Sequence, residues 1–362
     1  MRVVVTGGGT GGHAYPALSI AHAIRSRFPE SEILYLGSKS GIESDLADSA
    51  GIPFVGLTSR KVKKLFSPDT VLTIGYMAKG LAEAGAELRQ FGADIVIGTG
   101  GYVAAAVVLS QAMRGGKTII LEPDVIPGRT NALLSRLATK VCVAFEEAVD
   151  NFPHGHVVVT GMPVHSDLKN LPDKRTARAK WGLKLDPFTV LVLGGSQGAR
   201  TLNECMVDSI PRMRELPVQV IHQSGSRHYD AMLKRAEGLE WDGFHAFPYI
   251  DDMASAYASA DLVICRSGSS TVAEVTAVGL PSVLVPYPYA HANHQQYNAE
   301  VIVKAGAAEM ILDRDLNADR IIEILTRMVG SRDCLEVMAE SSRKLGKIDA
   351  ADTIADLAAG LI

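Results

Sequence analysis

The chain has 362 residues, more than one ordinary core takes, so it predicts about two domains. With 47% apolar and 21% charged residues it has the composition of a soluble globular protein, and a formal charge of −4 excludes a nucleic-acid binder that neutralises phosphates with a basic excess. Cys142, Cys205, Cys265 and Cys334 lie far apart, without CxxC or other zinc-ligand spacing, and so read as small core residues in a reducing compartment. No signal-peptide h-region precedes the first glycine turn, and no apolar run approaches the roughly 18 residues of a spanning helix, so the expectation is a cytosolic protein that can still touch a membrane.

Arg2 to Thr6 predicts a buried strand, Gly7-Gly8-Gly9-Thr10-Gly11-Gly12-His13 a turn, and Pro16, Leu18, Ile20, Ala21 and Ile24 the apolar face of a helix. Glycines allow close backbone approach, and the free amides at the start of a helix attract an anion, so this turn suits a negatively charged ligand. The alternative is a turn that merely packs helix on sheet. Further strands are predicted at Ile33 to Leu36, Asp94 to Gly98, Thr118 to Leu121, Lys140 to Ala144 and Val157 to Thr160. Their alternation with helices marks βαβ units around a parallel sheet, whose ligands sit at the carboxyl ends of the strands. A second glycine turn, Gly98-Thr99-Gly100-Gly101-Tyr102, should line the same edge as the first. Between the two turns, Arg60, Lys61, Lys63 and Lys64 precede Leu65, Phe66, Val71, Leu72, Ile74, Met77 and Leu81. This is either a solvated loop with a half-buried helix or a patch that rests on an anionic membrane surface.

Gly161-Met162-Pro163-Val164 suits a hinge, after which the pattern restarts with a strand at Thr189 to Leu193 and the turn Gly194-Gly195-Ser196-Gln197-Gly198-Ala199-Arg200. Strands follow at Val218 to His222, Phe244 to Phe247, Leu262 to Cys265, Ser282 to Val285 and Ala308 to Ile311. The prediction is thus an α/β protein of two Rossmann-like parallel-sheet domains facing across a cleft. Cys265-Arg266-Ser267-Gly268-Ser269-Ser270-Thr271 ends a strand and opens a helix where a diphosphate could sit. Glu274 could then accept from a ribose diol or close a capping box with Thr271. The polar cluster His291, Asn293, His294, Gln295, Gln296 and Asn298 after a buried strand suits a hydroxyl-rich ligand, most simply a sugar.

Taken in order, the Gly7 to His13, Gly98 to Tyr102 and Gly194 to Arg200 turns, Ile250-Asp251-Asp252-Met253, Cys265-Arg266-Ser267-Gly268, Gln295-Gln296 and a helix from Gly346 to Leu357 resemble the MurG family of GT-B glycosyltransferases, family 28. That resemblance spans nearly the whole chain. It implies metal-independent, inverting transfer of GlcNAc from UDP-GlcNAc to the C4 hydroxyl of MurNAc in undecaprenyl-diphosphate-MurNAc-pentapeptide (lipid I), giving lipid II for peptidoglycan. No cofactor is implied. Residues 1–160 would receive the acceptor and face the membrane, with a C-terminal helix, 340–362, packing back on them, and residues 165–339 would bind the donor. His13 would be the general base, and the positive helix end beside it should keep its imidazole neutral.

The resemblance also implies a donor site of Thr10, Gly11, Gly12, Asp124, His165, Ser196, Ile250, Ser269, Ser270, Thr271, Val272, Ala273, Glu274, Gln295 and Gln296, and acceptor contacts from Gly8, Gly9, Gly100, Gly101 and Tyr102. Arg266 or Arg200 could stabilise the leaving UDP. The implied setting is the cytoplasmic face of the cell membrane, reached through Arg60, Lys61, Lys63 and Lys64, with cell-wall synthesis and division proteins as possible partners. Asp124 and His165 stand where the family pattern leads one to expect Asn and Arg, which puts donor affinity in question. The competing readings are a nicotinamide oxidoreductase, for which Glu30 and Glu32 supply only a loosely placed acid, a non-catalytic nucleotide-sugar sensor, and another GT-B enzyme such as a diacylglycerol glucosyltransferase.

Overall fold

Runs of Val, Ile and Leu without polar alternation bury both faces of a strand, which suits parallel sheets covered by helices on each side. The computed structural model describes residues 1–59, 69–153, 155–195 and 197–362, without the side chains of 69–74. Arg60, Lys61, Lys63, Lys64, Leu65, Phe66 and Ser196 lie outside the described residues, as do the side chains of Val71, Leu72 and Ile74.

The chain forms two compact units, one of Met1–His165 with Asp349–Ile362 and the other of Ser166–Ile348. In the first, the strands are β1 (Arg2–Thr6), β2 (Glu32–Ser38), β3 (Phe54–Leu57), β4 (Ile95–Gly98), β5 (Lys117–Glu122), β6 (Lys140–Val143) and β7 (Val157–Val159). They pair in the order β3-β2-β1-β4-β5-β6-β7, all in parallel. Strand order reverses between β1 and β4, so the loops after those two strands leave the same edge in opposite directions. The register Thr6↔Gly98 sets the two glycine turns side by side. Strands β1 and β4 have no exposed side chain beyond Arg2, as a central position in a covered sheet requires.

The second unit repeats the plan with β8 (Phe188–Leu193), β9 (Val218–Gln223), β10 (Phe244–Phe247), β11 (Leu262–Cys265), β12 (Ser282–Leu284) and β13 (Ala308–Met310). Their order is β10-β9-β8-β11-β12-β13, again parallel, and Cys265↔Leu193 brings together the turns that follow β8 and β11. Its core joins Val190, Val192, Ile264 and Val283 to the helices Arg200–Met213 and Ala318–Gly330, which bury Met206, Ile210, Ile321 and Leu325.

A single C-terminal helix from 340 to 362 is not what forms. One helix, Arg332–Leu345, belongs to the second unit, and a separate one, Ala350–Ala359, joins the first. The break falls at Gly346, where a Cβ would run into the Thr276 carbonyl. Ala350–Ala359 lies against the helix Gly11–Arg27, and Arg27 grips Asp356 through two bonds of 2.7 Å.

Candidate active site

In the first unit the two glycine turns touch backbone to backbone. Gly8 donates its amide to Gly100 O at 3.2 Å, Gly100 and Gly101 take positive φ angles of 119° and 89°, and a Cβ on Gly101 would overlap Gly8 O. Only glycine fits both the conformation and the contact. The Gly9 amide is also committed, to Glu43 Oε1 at 2.5 Å, while Gly11 and Gly12 open the helix Gly11–Arg27, whose first amides have no partner within the helix. Thr10 caps that helix by its backbone conformation without a side-chain bond.

His13 sits in the first turn of that helix, half-buried, its Nδ1 3.0 Å from Thr99 O. A carbonyl oxygen can only accept, so Nδ1 carries the hydrogen and Nε2 of the neutral ring keeps a bare lone pair. Burial holds His13 below its ordinary pKa, against the Thr99 carbonyl and the Asp124 and Glu43 carboxylates, which favour the cation. Thr99 Oγ1 donates to His13 O at 2.6 Å, a third bond between the two turns.

Asp124 lies in the loop after β5, which Glu122 fastens. The buried Glu122 carboxylate accepts from the amides of Asp124 and Gly128, each at 3.1 Å, and from Asn131 Nδ2 at 3.0 Å. Burial, and then the Asp124 charge, push its pKa up to about 7. Tyr102 is exposed at the start of the helix Tyr102–Met113, and His165 is exposed at the end of the unit.

In the second unit the helix Ser269–Ala277 starts at Gly268 without a side-chain cap, leaving the amides of Ser269, Ser270 and Thr271 to something outside the helix. Val272 is different, since its amide donates to Gly268 O and its side chain is in the core. The Ser267 hydroxyl donates to Gln295 O at 2.7 Å, and Asn298 Nδ2 donates to Ser267 O at 3.3 Å, so this helix and the next, His294–Lys304, begin side by side. Gln295 Oε1 accepts the Tyr287 amide at 3.0 Å, and its Nε2 faces Gly268, while Gln296 Nε2 donates to Glu300 at 2.9 Å. Ala292 and Asn293, with φ of 50° and 54°, deliver the chain into that second helix. Left-handed backbone is costly for alanine, and such strain collects at ligand sites.

Glu274 does not close a capping box. The helix cap is Gly268, and Glu274 Oε2 instead accepts from the Tyr257 hydroxyl at 2.8 Å. Burial pushes the Glu274 pKa up to about 7, while the tyrosine hydrogen bond pulls it down. Ile250 is buried and gives its amide to Gln223 Oε1 at 2.9 Å, so its carbonyl is the group left for a ligand. Arg266 is also committed. Its guanidinium binds Asp313 at 2.5 Å, Thr201 Oγ1 at 3.0 Å and the carbonyls of Val285 and Pro286, each at 3.2 Å. Arg200 is exposed and pairs with Glu204 at 3.1 Å. Ser196 falls outside the described residues. Among those described, no three His, Cys, Asp or Glu converge as a metal-binding group.

Residues 3–143 match the glycosyltransferase family 28 N-terminal domain, and residues 189–354 match the glycosyltransferase family 28 C-terminal domain. The chain belongs to glycosyltransferase family 28. Among relatives of this transferase, the UDP-N-acetylglucosamine--N-acetylmuramyl-(pentapeptide) pyrophosphoryl-undecaprenol N-acetylglucosamine transferase of Desulforudis audaxviator is 40% identical, over 99% of this chain and 97% of that one. The protein of the same name from Bacillus cytotoxicus is 39% identical, over 98% and 97%. The crystal structure of MurG from Acinetobacter baumannii superposes with a TM-score of 0.79 at 29% identity, covering 99% of each chain. A UDP-GlcNAc 2-epimerase from Neisseria meningitidis, 13% identical with a TM-score of 0.73 over 98% of this chain and 99% of that one, shares the fold.

The fold of this family 28 transferase is therefore GT-B, with the two all-parallel Rossmann-like units found here, and the oxidoreductase and sensor readings fall away. Three groups that hold site residues in place are not among those singled out in the sequence: Glu43, Tyr257 and Glu122. The sequence signal for Glu43 and Tyr257 was slight, an acid opening a short helix and an aromatic in an apolar stripe.

Proposed function

We propose that this chain transfers GlcNAc from UDP-GlcNAc to the C4 hydroxyl of MurNAc in lipid I, with His13 as general base. The bare lone pair of His13 Nε2 carries the reading, because Nδ1 is committed to Thr99 O. Nε2 takes the hydroxyl proton as the oxygen attacks the anomeric carbon. The bond from that carbon to the diphosphate oxygen breaks with the electron pair leaving on UDP, and an α-linked donor gives a β product. A proton acceptor at this place fits a ring that burial keeps neutral.

In the second unit, the free amides of Ser269, Ser270 and Thr271 suit the diphosphate, Glu274 the ribose hydroxyls, the Ile250 carbonyl the uracil edge, and Gln295 and Gln296 the sugar. Ala273 and the committed amide of Val272 line that helix. Ser196, Asp124, His165 and Thr10 complete the proposed donor set. Because Arg266 is saturated by Asp313, Thr201 and two carbonyls, stabilisation of the departing UDP falls mainly to helix amides. Gly11 and Gly12 offer amides to a ligand at the first unit, and Gly8, Gly9, Gly100, Gly101 and Tyr102 shape the acceptor side.

The proposed setting is peripheral, on the cytoplasmic face of the membrane. Among the described residues no helix is long and apolar enough to cross one, and Tyr76 and Met77 are exposed on the helix that follows the basic run of Arg60 to Lys64. Radiolabelled transfer from UDP-GlcNAc to a lipid I analogue, for wild type and His13→Ala, tests the chemistry. The mutant should lose about 100- to 10,000-fold in rate while UDP-GlcNAc binding persists. Undiminished transfer by His13→Ala would remove the base assignment, and transfer to no MurNAc acceptor would remove the reaction.

A further inference from the structure

Glu43 opens the short helix Glu43–Ser49, yet no part of it reaches solvent. Its Oε1 accepts the Gly9 amide at 2.5 Å, and a Cβ at Gly8 or Gly41 would collide with its carboxylate. Oε2 is buried and has no hydrogen-bond partner among the described residues. Nearby on β2, Tyr35 spends its hydroxyl on Gly7 O, at 2.6 Å, so three consecutive glycines are pinned: Gly7 by Tyr35, Gly8 by Gly100 and Gly9 by Glu43.

A purely structural role does not account for this side chain. A glutamine would offer Gly9 the same carbonyl acceptor without a buried charge, and an orphaned carboxylate oxygen is an expensive thing to keep. The pinned glycines run directly into the turn that carries His13, and a Cβ on Gly100, the partner of Gly8, would strike the His13 ring. Glu43 thus packs against Gly8, and the imidazole against Gly100, to which Gly8 is bonded.

We propose that Glu43 is a positioning residue of the transfer reaction, which fixes the glycine loop through Gly9 and sets its carboxylate against the imidazolium that His13 becomes. The proposal rests on His13 being the base. The charge is of use only once the proton has moved, when it stabilises the pair formed by cationic His13 and departing UDP. Two carboxylates act on His13, Glu43 from its own helix and Asp124 from the loop after β5, while the Thr99 carbonyl faces it from the loop after β4. Tyr35, on β2, faces Glu43 and stays neutral, its pKa raised by burial and by that carboxylate.

The test is the pH profile of GlcNAc transfer to a lipid I analogue, from about pH 5 to about pH 9, for full-length wild type, E43Q, G41A and H13Q. E43Q keeps an acceptor for Gly9 and loses the charge. It should lower kcat about five- to tenfold and move the acid limb to lower pH, with the KM for UDP-GlcNAc unchanged. A fall in kcat with the limb unmoved would reduce Glu43 to a structural residue and overturn the proposal. If E43Q has no cooperative thermal melt, G41A decides, since its Cβ drives the carboxylate off Gly9. A raised acceptor KM and a shifted limb support the proposal, and wild-type values for both overturn it. H13Q that keeps the wild-type rate and limb would instead show that the base reading has failed, and the proposal with it.

Discussion

The Tyr257 hydroxyl donates to Glu274 Oε2 at 2.8 Å from a ring that is 1% exposed, so one carboxylate oxygen is held from within the core. Burial raises that carboxylate to about 7 even with the tyrosine hydrogen bond pulling it down, so the donor is what keeps a share of it ionised at neutral pH. Tyr257→Phe keeps the packing and removes the donor. The Glu274 pKa should then rise further, and the KM for UDP-GlcNAc should climb about three- to tenfold at neutral pH, falling back toward wild type as the solution is made more alkaline. Initial rates against donor concentration at several pH values check this, with kcat at saturation little changed.

Because burial depresses His13, the acid limb of kcat/KM should lie below the ordinary histidine value of 6.5. The base works in its neutral form, so activity is retained on mild acidification and declines only as pH falls through the depressed pKa. Asp124→Asn removes one of the two carboxylates that favour the cation, and should move that limb lower still. A limb above 6.5 in the wild type would contradict the burial argument.

His222 is fully buried, its Nε2 2.9 Å from Asn203 Oδ1 and its Nδ1 without a partner among the described residues. Asn203 Nδ2 is committed to Ser224 O, so Oδ1 accepts and Nε2 must donate. Burial drives the folded pKa from 6.5 to about 3. The unfolded chain binds the proton first on acidification, so this contribution to stability is complete above 6.5 and is lost as pH falls toward 3. Its slope is about 1.4 kcal/mol per pH step. Urea unfolding between about pH 7 and pH 5 should show that slope, reduced by about one proton in His222→Gln.

Gly101→Ala places a Cβ on a residue with φ of 89° and into Gly8 O. It should cost about 1–3 kcal/mol in stability and spread the two glycine turns. Transfer should fall well beyond what the loss of folded protein explains, while UDP-GlcNAc affinity, for which most of the proposed contacts lie in the other unit, stays within about twofold. Thermal melts and calorimetric titration separate the two effects.

Much of this was legible because parallel strands and glycine turns leave strong marks. Val3, Val4 and Val5 before Gly7, and Ile95, Val96 and Ile97 before Gly98, announce buried strands feeding tight turns, and their pairing follows from the reversal of strand order. Strand β3 escaped notice because Phe54-Val55-Gly56-Leu57 is short, holds a glycine and buries only Leu57 fully at the sheet edge. The C-terminal break escaped because helix propensity runs on both sides of Gly346, and it is the Thr276 carbonyl, distant in sequence, that makes glycine necessary there. At the site, His13 and Glu274 carried motif signals. Glu43 carries no motif signal in the sequence, and only tertiary packing turns it inward.

The helix Ala350–Ala359 covers part of the helix Gly11–Arg27, although more than three hundred residues lie between them in the chain. On the ribosome the earlier helix therefore waits on the order of tens of seconds for its cover. During that interval the first unit has its sheet but not its full coat, and exposes an apolar stripe that a chaperone would be expected to shield. Truncation just before Ala350 would make that transient exposure permanent, so the cell would meet the loss of a short terminal helix as an aggregation problem before it met it as a missing activity.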